Sequence, residues 1–394
     1  MQTTNTIKTQ TLFLLQFSRI VTGLLFVFSG LIKANDPTGF GYKLQEYFHV
    51  FNTNFLNDYA VPLAVVICGL EILLGALLLL GFWARAVAWG LLLLILFFTF
   101  LTFYSAFFEV VTSCGCFGDA IPLTPWQSFI KDLILLVLIA VIFLYRRWIR
   151  PVTDDRYTQN IVTVALIVVS LGIGIYTVNF LPFIDFLPYK KGNYLPGLMK
   201  MPEGQEGDQY QTIYTMQDKR SGEQRKVSDN VYLAEELWKD ENWEIIGEPE
   251  SRLVKKGYSI PIPDLLIADA NGGDFTTEII ENPYYNIIVV AWDLNNTNLA
   301  ALNRINALVM NAAEDYNIRA VLLTSASAQR AQELSEQLNL LTELFYADAV
   351  PLKSMVRANP GVLLMRNGVV VDKWHYNTLP SFEELERRYF DDIE

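Results

Sequence analysis

Cysteine and histidine are both scarce in this chain: three of the first and two of the second in 394 residues. Three thiols are too few to hold a disulfide-built scaffold together, so the fold must rest on apolar burial. Neither histidine lies near the paired cysteines Cys114 and Cys116, where only Asp119 could add a ligand. A metal centre is therefore the weakest reading of that pair. Basic charge is scarce in the second half. Residues 1–183 carry 10 Lys/Arg against 9 Asp/Glu, whereas residues 184–394 carry the other 20 against 33, a net of −13. Phosphate binding wants clustered Lys and Arg, so this acidic half argues against a nucleic-acid partner.

What is abundant is apolar surface: 52% of residues are hydrophobic and the mean hydropathy is +0.26. Five runs, approximately 11–33, 61–82, 86–108, 126–145 and 160–182, can each cross about 30 Å of hydrocarbon. Each is predicted to be a helix, because backbone groups in lipid must find partners within their own segment. The first run follows one lysine and has no small-residue cleavage site after it, so it is read as a retained span. Arg146, Arg147, Arg150 and Arg156 lie between the fourth and fifth runs, and Arg85 between the second and third. The inward bias of basic loops puts those turns and the amino terminus in the cytoplasm. The loops 34–60 and 109–125 and all of residues 184–394 are then expected outside. In a diderm bacterium that means an inner-membrane protein with a periplasmic carboxyl-terminal region, in contact with membrane lipid and an extracytoplasmic protein partner.

The spans are not purely apolar. Arg19 lies in the first, Glu71 in the second, and Lys131 and Asp132 near the outer end of the fourth. Charges in lipid are costly and face the bundle interior. Arg19 and Glu71 sit on consecutive antiparallel helices at depths roughly 5–8 Å apart by helical rise, within reach of two long side chains. Two readings follow for Arg19, Glu71 and Asp132: structural ion pairs, or a polar pocket for a quinone headgroup or proton path. Lys33, ending the first span, is read as snorkelling to the interface. Gly23, Gly30, Gly69 and Gly75 are read as close-packing positions. No inverted repeat is evident, which weakens a transport reading.

The loop Ser113-Cys-Gly-Cys-Phe-Gly-Asp119 holds two of the three cysteines, one residue apart. Such a pair closes only a tight ring, and strained disulfides are the exchangeable kind. Gly115 permits the unusual backbone. A redox-active pair, a static brace and a metal site all remain open from the residues alone. Cys68, midway along the second span, is read as a buried apolar thiol.

Three stretches in order carry a resemblance: Arg19-Ile-Val-Thr-Gly-Leu-Leu-Phe-Val-Phe-Ser-Gly-Leu-Ile-Lys33 followed by Asp36-Pro37, then Gly69-Leu-Glu71-Ile-Leu-Leu-Gly75, then Cys114-Gly-Cys-Phe-Gly118. Over about residues 11–145 the chain resembles the DoxX and methylamine-utilisation (MauE-like) family of redox-associated membrane proteins. The resemblance implies a four-helix bundle related in architecture to quinone-linked disulfide oxidoreductases. It also implies that Cys114 and Cys116 are the reactive pair.

Beyond the spans, residues 185–193 read as a turn-rich linker, and Pro182, Pro188 and Pro196 prevent a long helix. Residues 201–275 read as short strands, with Asp218-Lys-Arg-Ser-Gly222 a hairpin turn. From about 283 the pattern runs strand 287–292, helix 299–316, strand 320–324, helix 328–338, strand 344–346, strands 361–365 and 369–374, and a closing helix 382–389. This order is similar to the thioredoxin fold, with Asn359-Pro360 where that fold carries its cis-proline. The place of its C-x-x-C here reads Asp293-Leu-Asn-Asn-Thr-Asn298, and residues 184–394 contain no cysteine. That domain is expected to dock rather than react. His375 is expected to be structural, and Asn296 or Thr297 to cap the helix.

The expected architecture is a multi-domain membrane protein. Residues 1–150 form a transmembrane bundle and 151–183 a fifth span. Residues 184–280 form a linker and small β-rich module, and 281–394 an α/β thioredoxin-like domain. Two functions fit: thiol–disulfide exchange by a quinone-linked membrane domain with a substrate-docking cap, or a non-enzymatic scaffold or accessory subunit of an envelope complex.

Overall fold

A computed structural model describes residues 2–108, 115 and 117–391. Five of its helices are long and apolar enough to cross a membrane, and the protein is a membrane protein. They are α1 (Gln2–Asn35), α3 (Ala60–Leu80), α4 (Ala84–Phe108), α5 (Pro125–Tyr145) and α6 (Arg156–Asn179); a shorter helix, α2 (Pro37–Val50), follows α1. Helix α5 starts on a capping box: Thr124 accepts from the Gln127 amide while Gln127 reaches back to the Thr124 amide. Such reciprocal caps satisfy orphan donors at a helix start. Helices α1 and α3 pack most intimately. A Cβ added at Gly30 would meet the Ile72 amide nitrogen at 2.9 Å, and one at Gly75 would meet the Gly23 carbonyl at 2.8 Å. The small residues are what let these backbones approach.

Helix α2 falls where the sequence reads only an outer loop. Asp36 caps it by accepting from the Gly39 amide, Pro37 occupies its first turn, and Phe40, Leu44 and Tyr47 form its buried face. An amphipathic helix of 14 residues is too short to register as a span, yet it covers the mouth of the bundle.

The carboxyl-terminal region is rich in strands. In the first unit, β1 (Gln209–Asp218) pairs antiparallel with β2 (Gln224–Ser228), β3 (Trp243–Ile245) and β4 (Glu250–Lys255). The turn at Asp218–Gly222 joins β1 to β2, as expected. The second unit is a five-stranded sheet in the order β7-β6-β5-β8-β9. Its strands are β5 (Tyr285–Val290), β6 (Arg319–Thr324), β7 (Glu343–Tyr346), β8 (Gly361–Arg366) and β9 (Val369–His375). Strands β5, β6 and β7 run parallel, whereas β8 and β9 are antiparallel additions. Ile287 and Val289 face one side and Ile288 and Val290 the other, and all four are buried. A strand buried on both faces reads as one continuous apolar run.

Helices α7 (Leu299–Tyr316) and α8 (Ala328–Leu338) cover one face of this sheet, through Leu302, Ile305 and Leu334. Helix α9 (Ala349–Met355) and linker residues Tyr189 and Leu195 cover the other. The α7 cap is Asn298, which accepts from the Ala301 amide at 3.0 Å, and not Asn296 or Thr297. Asn296 instead donates to Asp293, one turn too early to reach the first free amides. The Asn359–Pro360 bond is cis. The linker is stitched to β9: Gly192 N–H donates to the Val370 carbonyl at 2.8 Å, Val370 N–H to Asn193, and Leu195 N–H to Gly368. His375 is buried, its Nδ1 accepts from the Asn377 amide, and burial lowers its pKa to about 4. This is the structural role expected of it.

Candidate functional site

The charged residues of the spans separate into two sites at opposite ends of the bundle. Arg19 donates from Nε to the Leu78 carbonyl at 2.8 Å and from Nη2 to the Leu79 carbonyl at 2.7 Å, and reaches Arg150 at 3.5 Å. It ties off the carbonyl end of α3, where the last four C=O groups have no helical partner. Arg19 therefore does not pair with Glu71, contrary to the expectation. Leu78 and Leu79 lie roughly 11 Å along α3 from Glu71 by helical rise, and the guanidinium finds helix-end carbonyls before it finds the acid.

Glu71 pairs instead with Lys33, and Ser29 Oγ donates to its second oxygen at 3.1 Å. Lys33 is 3% exposed and Glu71 2%. Lys33 does not snorkel: it points inward, between the rings of Phe40 and Phe98. Close by, Asp132 accepts from Lys131 at 2.5 Å and from Thr102 Oγ1 at 3.0 Å. These two acid–base pairs line one cavity of about 40 Å³, together with Tyr47, Leu135 and Phe117. That is space for a few waters. Each acid is already matched to a cation and a hydroxyl.

Phe117 links this polar chamber to the cysteine loop. Its ring lies 5.8 Å from that of Phe28 and 5.5 Å from Lys131 Nζ. Cys114 and Cys116 lie outside the described residues, but their shared neighbour Gly115 does not. Its φ is +65°, in the region that favours glycine, and a Cβ added there would meet the Lys43 stem at 3.3 Å and the Phe40 ring at 3.7 Å, both on α2. Gly118 N–H donates to the Gly115 carbonyl at 3.1 Å. Cys68 is fully buried in α3, as expected of an apolar thiol.

From the other side, the five-stranded unit closes on the same loop. Arg357, two residues before the cis bond's Asn359, donates from Nε to Asp36 at 2.7 Å and from Nη2 to Asp119 at 3.1 Å. It is 7% exposed. Burial disfavours its charge, yet the two carboxylates raise its pKa above the ordinary value. Burial pushes the Asp119 carboxyl up, against the pull of Arg357. Beside them Trp292, just past β5, meets Tyr42 of α2 edge-on at 6.1 Å, and Lys353 Nζ sits 4.5 Å and 4.4 Å from the two rings. Burial pushes the Tyr42 hydroxyl up to about 12. Asn35 exchanges hydrogen bonds with the Ile184 backbone, and Lys373 pairs with Asp185. Sequence reasoning missed α2 and Arg357. The Asp36-Pro37 start signal marks the first; nothing local distinguishes the second.

The arrangement brings together Glu71 and Asp132 of the expected residues and leaves Arg19 at the far end. It sets Gly115 and residues 117–119 between α2, the chamber and the cap. Residues 11–145 match the family model described as methylamine utilisation protein MauE. Over 130 residues the chain is 28% identical to protein TlpB of Flavobacterium psychrophilum, a match covering 32% of this chain and 35% of that protein. The chain thus spans about a third of the length of the curated relative it matches.

Proposed function

We propose that this is a thiol–disulfide exchange protein of the bacterial inner membrane. Cys114 and Cys116 are its reactive pair, and residues 281–394 are a thioredoxin-like cap that lacks thiols of its own. The observation that carries this reading is the reach of Arg357 from the cap to Asp36 at the head of α2 and to Asp119, three residues beyond Cys116. A buried arginine with two acid partners on another unit fixes register as well as contact. The likeness of residues 11–145 to MauE supports it. The basic turns at the far end of the bundle favour a cytoplasmic amino terminus and a periplasmic cap.

In the exchange, a thiolate of the pair attacks one sulfur of a substrate disulfide and expels the other as a thiolate. The second cysteine then resolves the mixed disulfide. The substrate leaves with two electrons and two protons, and the pair is left oxidised; the reverse runs when the substrate arrives reduced. The proposal is tested by acid-trapping cells, alkylating free thiols and comparing wild type with Cys116→Ser. Mixed disulfides through Cys114 are expected to accumulate in the variant. Both cysteines held in one state under every redox condition, with a normal variant, would leave the second reading: a membrane scaffold whose cysteines brace the loop. The absence of cysteine from residues 184–394 favours that alternative.

A further inference from the structure

We propose that the basic turns at the end of the bundle away from the cap form a binding surface for the phosphate groups of anionic phospholipids. Two turns build it. Residues 81–83 join α3 to α4, with Arg85 in the first turn of α4, and residues 146–155 join α5 to α6. The turns are fastened to each other. Val152 N–H donates to the Leu80 carbonyl at 3.0 Å, and a Cβ at Gly81 would come within 2.5 Å of the Arg150 carbonyl. The start of α4 also meets the end of α5. Trp89 stands edge-on to Phe143 at 4.6 Å, and Arg146 lies 4.1 Å from the same ring. Arg156 brings α6 to this surface, 5.4 Å from the Trp83 ring.

Five arginines, Arg85, Arg146, Arg147, Arg150 and Arg156, thus share one end of the bundle with two acids, Asp154 and Asp155. Asp155 is occupied in capping α6. Among the described residues no acid pairs with any of the five arginines. Loop orientation would be met equally by lysine, because the inward bias counts both cations alike. Every basic residue of these two turns is arginine, whose planar fork grips a phosphate with two parallel donors. One face of α4 carries the argument from phosphate to lipid. Arg85, Trp89, Leu93 and Leu96 recur at helical spacing and are all exposed. Read from the end inwards, that stripe is a cation, an interfacial ring and aliphatic surface. A phospholipid presents the same order: a phosphate, a glycerol at the level where tryptophan collects, and acyl chains. A free phosphate would use only the first of the three.

The test uses the purified full chain in neutral detergent micelles, titrated with tail-labelled phosphatidylglycerol. Wild type is expected to bind it about tenfold tighter than phosphatidylcholine, the zwitterionic control. Arg85→Gln with Arg147→Gln should weaken binding by roughly fivefold for each cation removed. Both side chains are exposed, so the fold tolerates the change. Arg85→Lys with Arg147→Lys keeps the charge and loses the forks, and its affinity should fall between the two. Arg330→Gln, on the cap, should leave binding unchanged. Equal affinity for the two lipids, glutamine or lysine pairs as good as wild type, or an equal loss at Arg330 overturns the surface. Glycerol 3-phosphate competing as well as unlabelled phosphatidylglycerol also overturns it, because the site would then take free phosphate.

Discussion

The bundle and the five-stranded unit treat buried charge in opposite ways. Among the described residues, the bundle buries Arg19, Lys33, Glu71 and Asp132, whereas the carboxyl-terminal region buries only Arg357 among its Asp, Glu, Lys and Arg residues. That one arginine points out of its own unit, at the bundle. Each face of the sheet is otherwise packed with aliphatic and aromatic side chains. Removing a charge from water costs several kcal/mol, and a partner only offsets that cost. A unit that can fold on apolar burial alone therefore has no structural need for such charges. Apart from Arg19, which ties off α3 at the far end, the buried charges gather at the bundle mouth and the junction.

The sharpest way to break this contrast is to unpair a charge in the bundle. Glu71→Gln leaves Lys33 buried without its acid, and is expected to cost about 3–5 kcal/mol, read as a lower unfolding midpoint in mixed micelles. Replacing both, as Lys33→Met with Glu71→Leu, should recover most of that loss; failure to recover would mean the pair is an architectural necessity. At the junction, Arg357→Gln loses charge-assisted hydrogen bonds worth about 1.5–3 kcal/mol. It should loosen docking while leaving the sheet folded. The readout is the emission of Trp292, which should shift on leaving Tyr42, and unchanged emission would count against docking through Arg357.

Close packing comes next in size. Gly30→Val forces a side chain against the Ile72 amide and should cost about 1–3 kcal/mol, read as a lower unfolding midpoint of the bundle in mixed micelles. At neutral pH the smallest effect is expected from His375. Its folded pKa of about 4 lies below the ordinary 6.5, so the unfolded chain takes up the proton first. Its contribution is complete above pH 6.5 and is lost as pH falls towards 4. His375→Gln should flatten that slope in acid unfolding of the carboxyl-terminal unit while leaving the pH dependence of the bundle unchanged.

Sequence reasoning placed the five spans well because twenty apolar residues in a row admit few structures. It also placed Leu299–Tyr316 and Ala328–Leu338, where helical periodicity is strong, at the observed bounds. Helix α2 escaped because Phe40, Leu44 and Tyr47 are diluted by polar neighbours facing water. The Arg19–Glu71 pairing failed for a different reason. Helical rise brings the two residues within reach of each other, but which partner wins depends on local competition. The last carbonyls of α3 hold Arg19, and Lys33 pairs with Glu71. Arg357 was illegible because its partners are 321 and 238 residues away in sequence.

The stitching of residues 192–195 to β9 sets the leash on which the cap can swing. With Tyr189 locked into the core of the five-stranded unit, only the stretch between Asn179 and that tyrosine is left to pay out. Ten residues reach at most about 35 Å when fully drawn. Even a cap that has let go of Asp36 and Asp119 remains tethered beside the bundle at an effective concentration of order millimolar. Recapture is then an intramolecular event, and any soluble competitor for the same loop must exceed that concentration to keep the mouth open.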